Sequence, residues 1–175
     1  MSWIMVDVEA DGPAPGLYSM ASFGAVVVRE GLKDTFYSEI LRPLEGAQFI
    51  AEAIAVSNIT REQMLHGADP AERMRAFVDW LKAVSGGQPR FISDNNGYDW
   101  QFMNYYLWKF TGGNPFGHSS TNLGSLFKGM EKSMFKYFKH LRKTAHTHHP
   151  VDDVKGNAEA LLYMKSQMGL AINLD

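Results

Sequence analysis

The chain of 175 residues contains no cysteine, which excludes disulfide bonds and thiolate zinc sites. It has no apolar run of the roughly 20 residues that span a bilayer. Its first residues, MSWIMVDVEADG, carry acids where a signal peptide would be apolar. A basic excess is also missing, since 17 Lys and Arg face 19 Asp and Glu. We therefore expect a soluble cytoplasmic protein that does not contact a membrane and binds any nucleic acid through a local patch.

Apolar side chains are plentiful, at 45% of the residues, which is enough to fill the core of one domain spanning residues 1–175. Residues 3–9 alternate as a strand does, and residues 20–29 and 35–41 are further strand candidates with short connections. This arrangement predicts an antiparallel meander. The rest of the chain is predicted to form helices at 71–84, 98–110 and 150–168, one or two short helices over 123–141, a strand at 90–93 and a loop at 114–121. An α/β fold with a mixed sheet follows.

Asp7 and Glu9 are two residues apart in the first strand, so both carboxylates project from one face, roughly 7 Å apart. Like charges on a central strand repel each other, and divalent cations can compensate several carboxylates at once. Hard oxygen ligands favour Mg²⁺ or Mn²⁺. Alternatively, both side chains face water on an edge strand.

Two further acids lie at the starts of predicted helices. Asp99 belongs to the apolar stripe of its helix, which points it towards the sheet, although it could instead cap the helix N-terminus. Asp153 falls in the first turn of the last helix, and Asp152 competes with it. Both helices therefore offer a carboxylate to the same site.

A cluster of histidines precedes the last helix in the sequence HTHHPVDD. His146, His148 and His149 are all candidates for a general base that takes a proton from water beside a cation. The alternatives are a surface loop or a zinc site that includes Asp152.

In chain order, these residues resemble the three motifs of the DEDDh group of 3′→5′ exonucleases, which includes ribonuclease T and oligoribonuclease. The sequence DVEADG, with Asp7, Glu9, Asp11 and Gly12, is similar to the first motif, D-x-E followed by a polar residue and glycine. The stretch AVSNITREQM also looks like a V-x-G-I-T segment of the group.

The second and third motifs each depart from the pattern at one position. DNNGYDWQF resembles H-N-x-x-[FY]-D through Asn95 and Asp99, but Asp94 replaces the histidine. HHPVDD resembles H-x-A-x-x-D through His148 and Asp153, with proline in place of alanine. This spacing selects His148 over His149 and Asp153 over Asp152.

The resemblance implies a ribonuclease H-like fold, a five-stranded mixed sheet flanked by helices. It also implies two Mg²⁺ or Mn²⁺ ions per site, release of nucleoside 5′-monophosphates from a single-stranded 3′ end, and a possible homodimer. The metal ligands would be Asp7, Glu9, Asp99 and Asp153, with His148 as the general base. Substrate contacts would come from Ala10, Asp11, Gly12, Asn95 and an apolar residue, Met20 or Leu17.

The preferred substrate is predicted only weakly. The length of the chain favours RNA, and single-stranded DNA or a non-catalytic nucleic-acid binding module are the alternatives. Near the C-terminal end, cations interleave with aromatic rings, which suits phosphates and unpaired bases but is also common on a solvated helix face. These residues are Lys128, Lys132, Lys136, Lys139, Arg142 and Lys143, with Phe135, Tyr137, Phe138 and His140.

Overall fold

A computed structural model describes residues 2–174 of the chain. Its centre is a five-stranded sheet in the order β3-β2-β1-β4-β5. The β1–β2 and β2–β3 pairs are antiparallel, whereas β1–β4 and β4–β5 are parallel. The strands are β1 (Trp3–Ala10), β2 (Met20–Val27), β3 (Thr35–Tyr37), β4 (Arg90–Ser93) and β5 (Ser120–Asn122). The prediction of a meander extended by parallel strands is confirmed.

Within residues 2–174, six α-helices and one short 3₁₀ turn surround this sheet. Helix α3 begins where Asp69 accepts hydrogen bonds from the N–H groups of Ala71 and Glu72, and α4 ends at Gly112 in the left-handed conformation. The helices are α1 (Ala51–Ala55), α2 (Arg61–Leu65), α3 (Pro70–Val84), α4 (Asn96–Thr111), α5 (Leu123–Met130) and α6 (Pro150–Gln167), and the 3₁₀ turn is Phe138–Leu141.

Alternation along β1 divides the core between the two faces of the sheet. Ile4, Val6 and Val8 pack with α3 and α4 on one face. Met5 packs with α5 and α6 on the other. Because side chains alternate, Asp7 also points to the face that α6 covers. The apolar residues of one strand thus fix the side on which its acids emerge.

Five elements differ from the sequence prediction. Residues 120 and 121, at the end of the predicted loop 114–121, belong to β5, because pairing with β4 stabilises a polar strand that shows no apolar alternation. Helices α1 and α2 have five residues each, too few to show helical periodicity. Strand β3 stops at Tyr37, so the predicted strand over 35–41 is too long, and the helical structure predicted over 123–141 is limited to α5 and the 3₁₀ turn Phe138–Leu141. Within residues 2–174, no helix is both long and apolar enough to cross a bilayer.

Candidate active site

The candidate site opens where β1 and β4 separate. Their parallel pairing runs from Trp3 to Met5 on β1 and ends there. Further along β1, the N–H of Val8 donates instead to Oδ1 of Asp99, at 3.2 Å. Asp99 lies in the first turn of α4, the helix that follows β4. The side chain of Asp99 thus takes the place of a neighbouring strand as hydrogen-bond acceptor, and it lies against the end of β1 that carries Asp7 and Glu9.

Asp153 reaches the same place from the first turn of α6. Carboxylate oxygens of Asp7, Glu9 and Asp153 all lie within 4.8 Å of one another. Gly24, the partner of Asp7 across β1 and β2, makes this approach possible. A Cβ atom at Gly24 would lie only 2.6 Å from the carbonyl carbon of Pro150, where α6 begins. The absence of a side chain on β2 therefore allows α6 to sit directly on the strand.

Two acceptor atoms in this cluster have no hydrogen-bond partner among residues 2–174. They are Oδ2 of Asp99 and Oδ2 of Asp153, and the two residues are only 2% and 1% exposed. Leaving a buried charged acceptor unpaired costs a large part of its desolvation penalty. Acceptors of this kind suit a cation, because the two hydrogen-bonded Oδ1 atoms already hold the carboxyl groups in place.

The pKa values of the cluster reflect the same crowding. Burial, followed by the charges of Asp153 and Asp94, raises the pKa of Asp7 to about 7. Burial and then the charge of Asp7 raise the pKa of Glu9 to about 8. The pKa of Asp99 also lies well above its usual value, with burial as the main cause. The acids cannot all be ionised at neutral pH without added positive charge, which fits a divalent metal site.

Arg142 supplies one positive charge from within the chain. Its guanidinium Nη2 donates to Oδ1 of Asp153 at 2.9 Å, and its side chain is only 6% exposed. Gly156 leaves room for the guanidinium, since a Cβ there would lie 2.3 Å from Nε of Arg142. The sequence placed Arg142 in a basic stripe. The structure corrects that interpretation, because Arg142 is buried against a carboxylate. Residue spacing alone could not have predicted this contact.

His146 and His148 both lie beside Asp153. Nδ1 of His146 is 2.7 Å from Oδ1 of Asp153, and the two imidazole rings are 4.2 Å apart. Nitrogen atoms of both rings fall within 4.8 Å of an oxygen of Asp153. His148 adopts a positive φ of 58°, which turns the chain between His146 and α6. The motif selects His148 as the base, whereas the direct contact with Asp153 is made by His146.

The other members of the zinc alternative point elsewhere. The ring of His149 packs on Tyr37, with 4.9 Å between ring centroids. Asp152 accepts a hydrogen bond from the hydroxyl of Thr147 at 2.9 Å. Neither belongs to the two groups of three potential metal ligands that residues 2–174 form. The four-residue set that would bind zinc is therefore not assembled.

The predicted substrate contacts occupy different environments. Ala10 is 3% exposed, Gly12 is buried and Asn95 is exposed at the start of α4. A Cβ on Gly12 would lie 2.1 Å from the Tyr18 ring, so the backbone there depends on glycine. Met20 is fully buried and offers no open surface for a base. Met20 is therefore unable to pack on a base. The backbone of residues 10–12 and the side chain of Asn95 remain candidates for substrate contacts.

Asp11 performs a structural task. Its carboxylate accepts hydrogen bonds from the N–H of Ser19 at 2.6 Å and from Nη1 of Arg61 at 2.9 Å. The side chain of Asp11 is fully buried.

Leu17, the second residue proposed to pack on a base, is 59% exposed. Of the two apolar candidates, only Leu17 has an accessible side chain.

Asp94 is a neighbour of the cluster that sequence reasoning undervalued. Burial raises its pKa, while the charges of Lys139, Arg142 and His146 act in the opposite direction. Its own charge in turn raises the pKa of Asp7. The replacement of the motif's histidine was visible in the sequence, but its electrostatic effect depends on distances that only the fold sets.

The chain matches the family model described as Exonuclease, and named for RNase T, over residues 4–161. The *Escherichia coli* 3′-5′ DNA exonuclease Cap18 is 34% identical over 137 residues, which cover 77% of this chain and 72% of that protein. The match to the family model extends across all three motifs.

Solved structures share the fold at lower identity. The nuclease domain of 3′hExo, a DEDDh family member bound to rAMP, has a TM-score of 0.75 at 18% identity and covers 98% of this chain and 96% of that chain. *E. coli* Exonuclease I in complex with a dT13 oligonucleotide has a TM-score of 0.74 at 13% identity and covers 96% of this chain but 42% of that chain.

Proposed function

We propose, from the premise that this chain belongs to the DEDDh group of 3′→5′ exonucleases, that it removes nucleoside 5′-monophosphates one at a time from a single-stranded 3′ end. One observation carries the proposal: oxygens of Asp7, Glu9 and Asp153 meet within 4.8 Å. Asp99 lies against the same strand end with a free carboxylate oxygen. The acids come from three separate elements, and hydrolysis of a phosphodiester gives a chemical reason for gathering them.

Single-stranded DNA is the substrate class that we propose first. The support is the 34% identity to Cap18, which is named as a DNA exonuclease. RNA, which the length of the chain favours, is the second candidate substrate, and a preference for it stays a prediction. Distinguishing the two depends on contacts around the 2′ position of the terminal sugar.

DEDDh exonucleases use divalent metal ions. The raised pKa values and the unpaired oxygens of Asp99 and Asp153 fit such ions. We propose that Asp7, Glu9, Asp99 and Asp153 hold two Mg²⁺ or Mn²⁺ ions. When bound, the ions would neutralise charge on the scissile phosphate and acidify the attacking water.

The remaining steps belong to the chain's own side chains. His148 accepts the proton of the attacking water on its imidazole. Arg142 holds Oδ1 of Asp153 at 2.9 Å, which leaves Oδ2 free towards the cluster. The N-termini of α4 and α6 both carry a site carboxylate in their first turn, where the helix dipole favours negative charge. The terminal nucleotide would lie along the backbone of residues 10–12, with Leu17 against its base and Asn95 at the rim.

The test is to incubate matched DNA and RNA oligonucleotides, labelled at the 5′ end and free or blocked at the 3′ end, with Mg²⁺ or Mn²⁺. We expect a ladder that shortens from the free 3′ end, with 5′-monophosphates as products and faster loss of DNA. Asp153→Asn should abolish shortening, whereas Asp79→Asn, a matched change at an exposed acid on α3, should retain it.

The possible outcomes separate the alternatives. Binding of the strands without shortening would assign a non-catalytic module. Equal cleavage of blocked and free strands would contradict an exonuclease. Faster loss of RNA would overturn only the choice of substrate.

Three further proposals concern domain organisation, localisation and oligomeric state. We propose that residues 1–175 act as one exonuclease domain, that the protein is cytoplasmic, and that it forms a homodimer. Sedimentation of the purified protein at several concentrations would test the last point.

A further inference from the structure

Residues 131–140 lie between α5 and the loop that carries Arg142 and the histidines. They form a surface that the catalytic proposal does not use. We call this segment the basic-aromatic arm. The sequence predicted helix here, but α5 ends at Met130, and the next regular element is the 3₁₀ turn Phe138–Leu141. The arm is therefore an irregular segment, and its side chains do not follow one helical face.

Three large apolar side chains of the arm face solvent. Met134 is 71%, Phe135 89% and Tyr137 64% exposed. Phe135 is the most exposed of the large hydrophobic side chains of residues 2–174. Such exposure within four residues gains nothing for the fold and marks a binding surface.

The arm is nevertheless held in place. Phe138 is 2% exposed and packs edge to face on Phe127, with centroids 6.4 Å apart. At the other end, the N–H of Ser133 donates to the carbonyl of Lys128 at 3.0 Å. His140 Nδ1 lies 2.9 Å from the carbonyl oxygen of Tyr137. Because both ends are fixed, the rings are presented outwards at little entropic cost to a ligand.

Cations accompany the rings and connect the arm to the site. Nζ of Lys128 lies 5.1 Å from the centroid of the Tyr137 ring. Lys132, Lys136 and Lys139 are exposed, and Lys136 pairs with Glu131. The carbonyl oxygen of Lys139 accepts a hydrogen bond from the N–H of Arg142 at 3.3 Å, and the guanidinium of Arg142 holds Asp153 of the catalytic cluster. The positive end of the arm thus lies beside the negative centre of the molecule.

This juxtaposition meets a need of the proposed substrate. A strand entering a site lined with carboxylates is repelled by them, while the net charge of −2 provides no general attraction. Exposed rings can stack on the faces of unpaired bases, and neighbouring lysines can contact the phosphates between them. A single strand uses both features of the arm together.

We propose that the basic-aromatic arm binds the single-stranded substrate several nucleotides to the 5′ side of the terminal one, with Phe135 and Tyr137 stacking on bases. The inference rests on the proposed function, because it assigns the upstream part of the same strand. It predicts that long strands bind more tightly than short ones and that the arm accounts for the difference.

The experiment compares KM and kcat on a trinucleotide and on a 20-nucleotide DNA strand for the wild type and the Phe135→Ser/Tyr137→Ser variant. We expect the KM of the long strand to rise about 10-fold or more, since stacking contributes substantially for each base. The kcat and the kinetics on the trinucleotide should stay unchanged. Both side chains are mostly exposed, so melting should be unaffected.

A lysine variant tests the phosphate contacts separately. For Lys132→Ala/Lys139→Ala, the dependence of log KM on log salt should become shallower by about 0.7 for each lost phosphate contact with a single strand. Trp108→Ser/Lys109→Ala is the matched control, because it removes an exposed ring and a cation from α4, with Trp108 52% exposed. The control should behave as the wild type.

The outcomes distinguish this proposal from the function on which it rests. If the wild type shortens neither strand, the proposed function fails and the arm proposal falls with it. If both lengths are shortened but the ring variant keeps the wild-type KM on the long strand, only the arm proposal fails. An equal rise of KM on both lengths would place the rings at the terminal nucleotide and overturn it. Ring-dependent binding to anionic vesicles, with unchanged KM, would assign the arm to a lipid surface instead.

Discussion

Replacing Asp7 with asparagine removes one charge from the carboxylate cluster, and we expect it to stabilise the metal-free protein while abolishing nuclease activity. Burial and the nearby Asp153 and Asp94 raise the pKa of Asp7 from 3.8 to about 7. A carboxyl group with a raised pKa is a cost to the folded state, because ionising it is harder there than in the unfolded chain. Asparagine keeps the shape of the side chain and removes this cost.

The pH dependence has a definite sign. Because the folded pKa of Asp7 is the higher one, the unfolded chain loses this proton first as the pH rises. Between about pH 4 and pH 7 the folded state therefore binds more protons than the unfolded chain. As a result, the free energy of unfolding of the metal-free protein decreases as the pH rises through this range. At about 1.36 kcal/mol for each pKa unit, the full cost at pH 8 is about 4 kcal/mol for a fully buried group. Since Asp7 is half-buried, we expect about 2–4 kcal/mol.

The assay is thermal melting in a chelator from pH 5 to pH 8. For a chain of this length, the Asp7→Asn variant should melt about 5–15 °C above the wild type at pH 8, with a smaller difference at pH 5. Added Mn²⁺ should raise the melting temperature of the wild type much more than that of the variant. Asp79→Asn on the exposed face of α3 is the control and should show neither effect. A variant that melts at or below the wild type at pH 8 would refute the electrostatic reasoning.

Three more predictions follow from individual contacts. Gly24→Ala should push the start of α6 off the sheet, cost about 1–3 kcal/mol in overpacking and lower activity, whereas Gly113→Ala, with open space around it, should do neither. His148→Ala should lower kcat by about 100-fold or more while Mn²⁺-induced stabilisation is retained, and an equal loss in His146→Ala alone would reassign the base. Arg142→Met should destabilise the metal-free protein by removing a buried ion pair, with added Mn²⁺ restoring much of the lost melting temperature.

Local patterns in the sequence predicted much of the fold. Alternation in residues 3–9 defined β1 and placed Asp7 and Glu9 on one face. Helical spacing located α3, α4 and α6 within a few residues of their observed ends. The edge strand β5 and the short helices were missed because their stability depends on neighbours distant in the chain rather than on their own residues.

The site divides in the same way. The motifs selected the acids that the structure brings together, since the order and spacing of charged residues are properties of the chain itself. Their roles as metal ligands, and the role of His148, stay predictions. The geometry of the histidines and the ion pair of Arg142 did not follow from spacing, because a loop residue can turn to either side.

The sequence by itself selected the acids that are proposed to carry the chemistry, and it placed each one on a face of β1 or in a helical turn. Only the tertiary structure decided how closely they approach. Gly24 against Pro150 sets the height of α6 above the sheet, and the separation of β4 from β1 leaves the N–H of Val8 for Asp99. These contacts join residues about 90 or more positions apart. Their distances result from the packing of whole elements, which no local pattern of residues encodes.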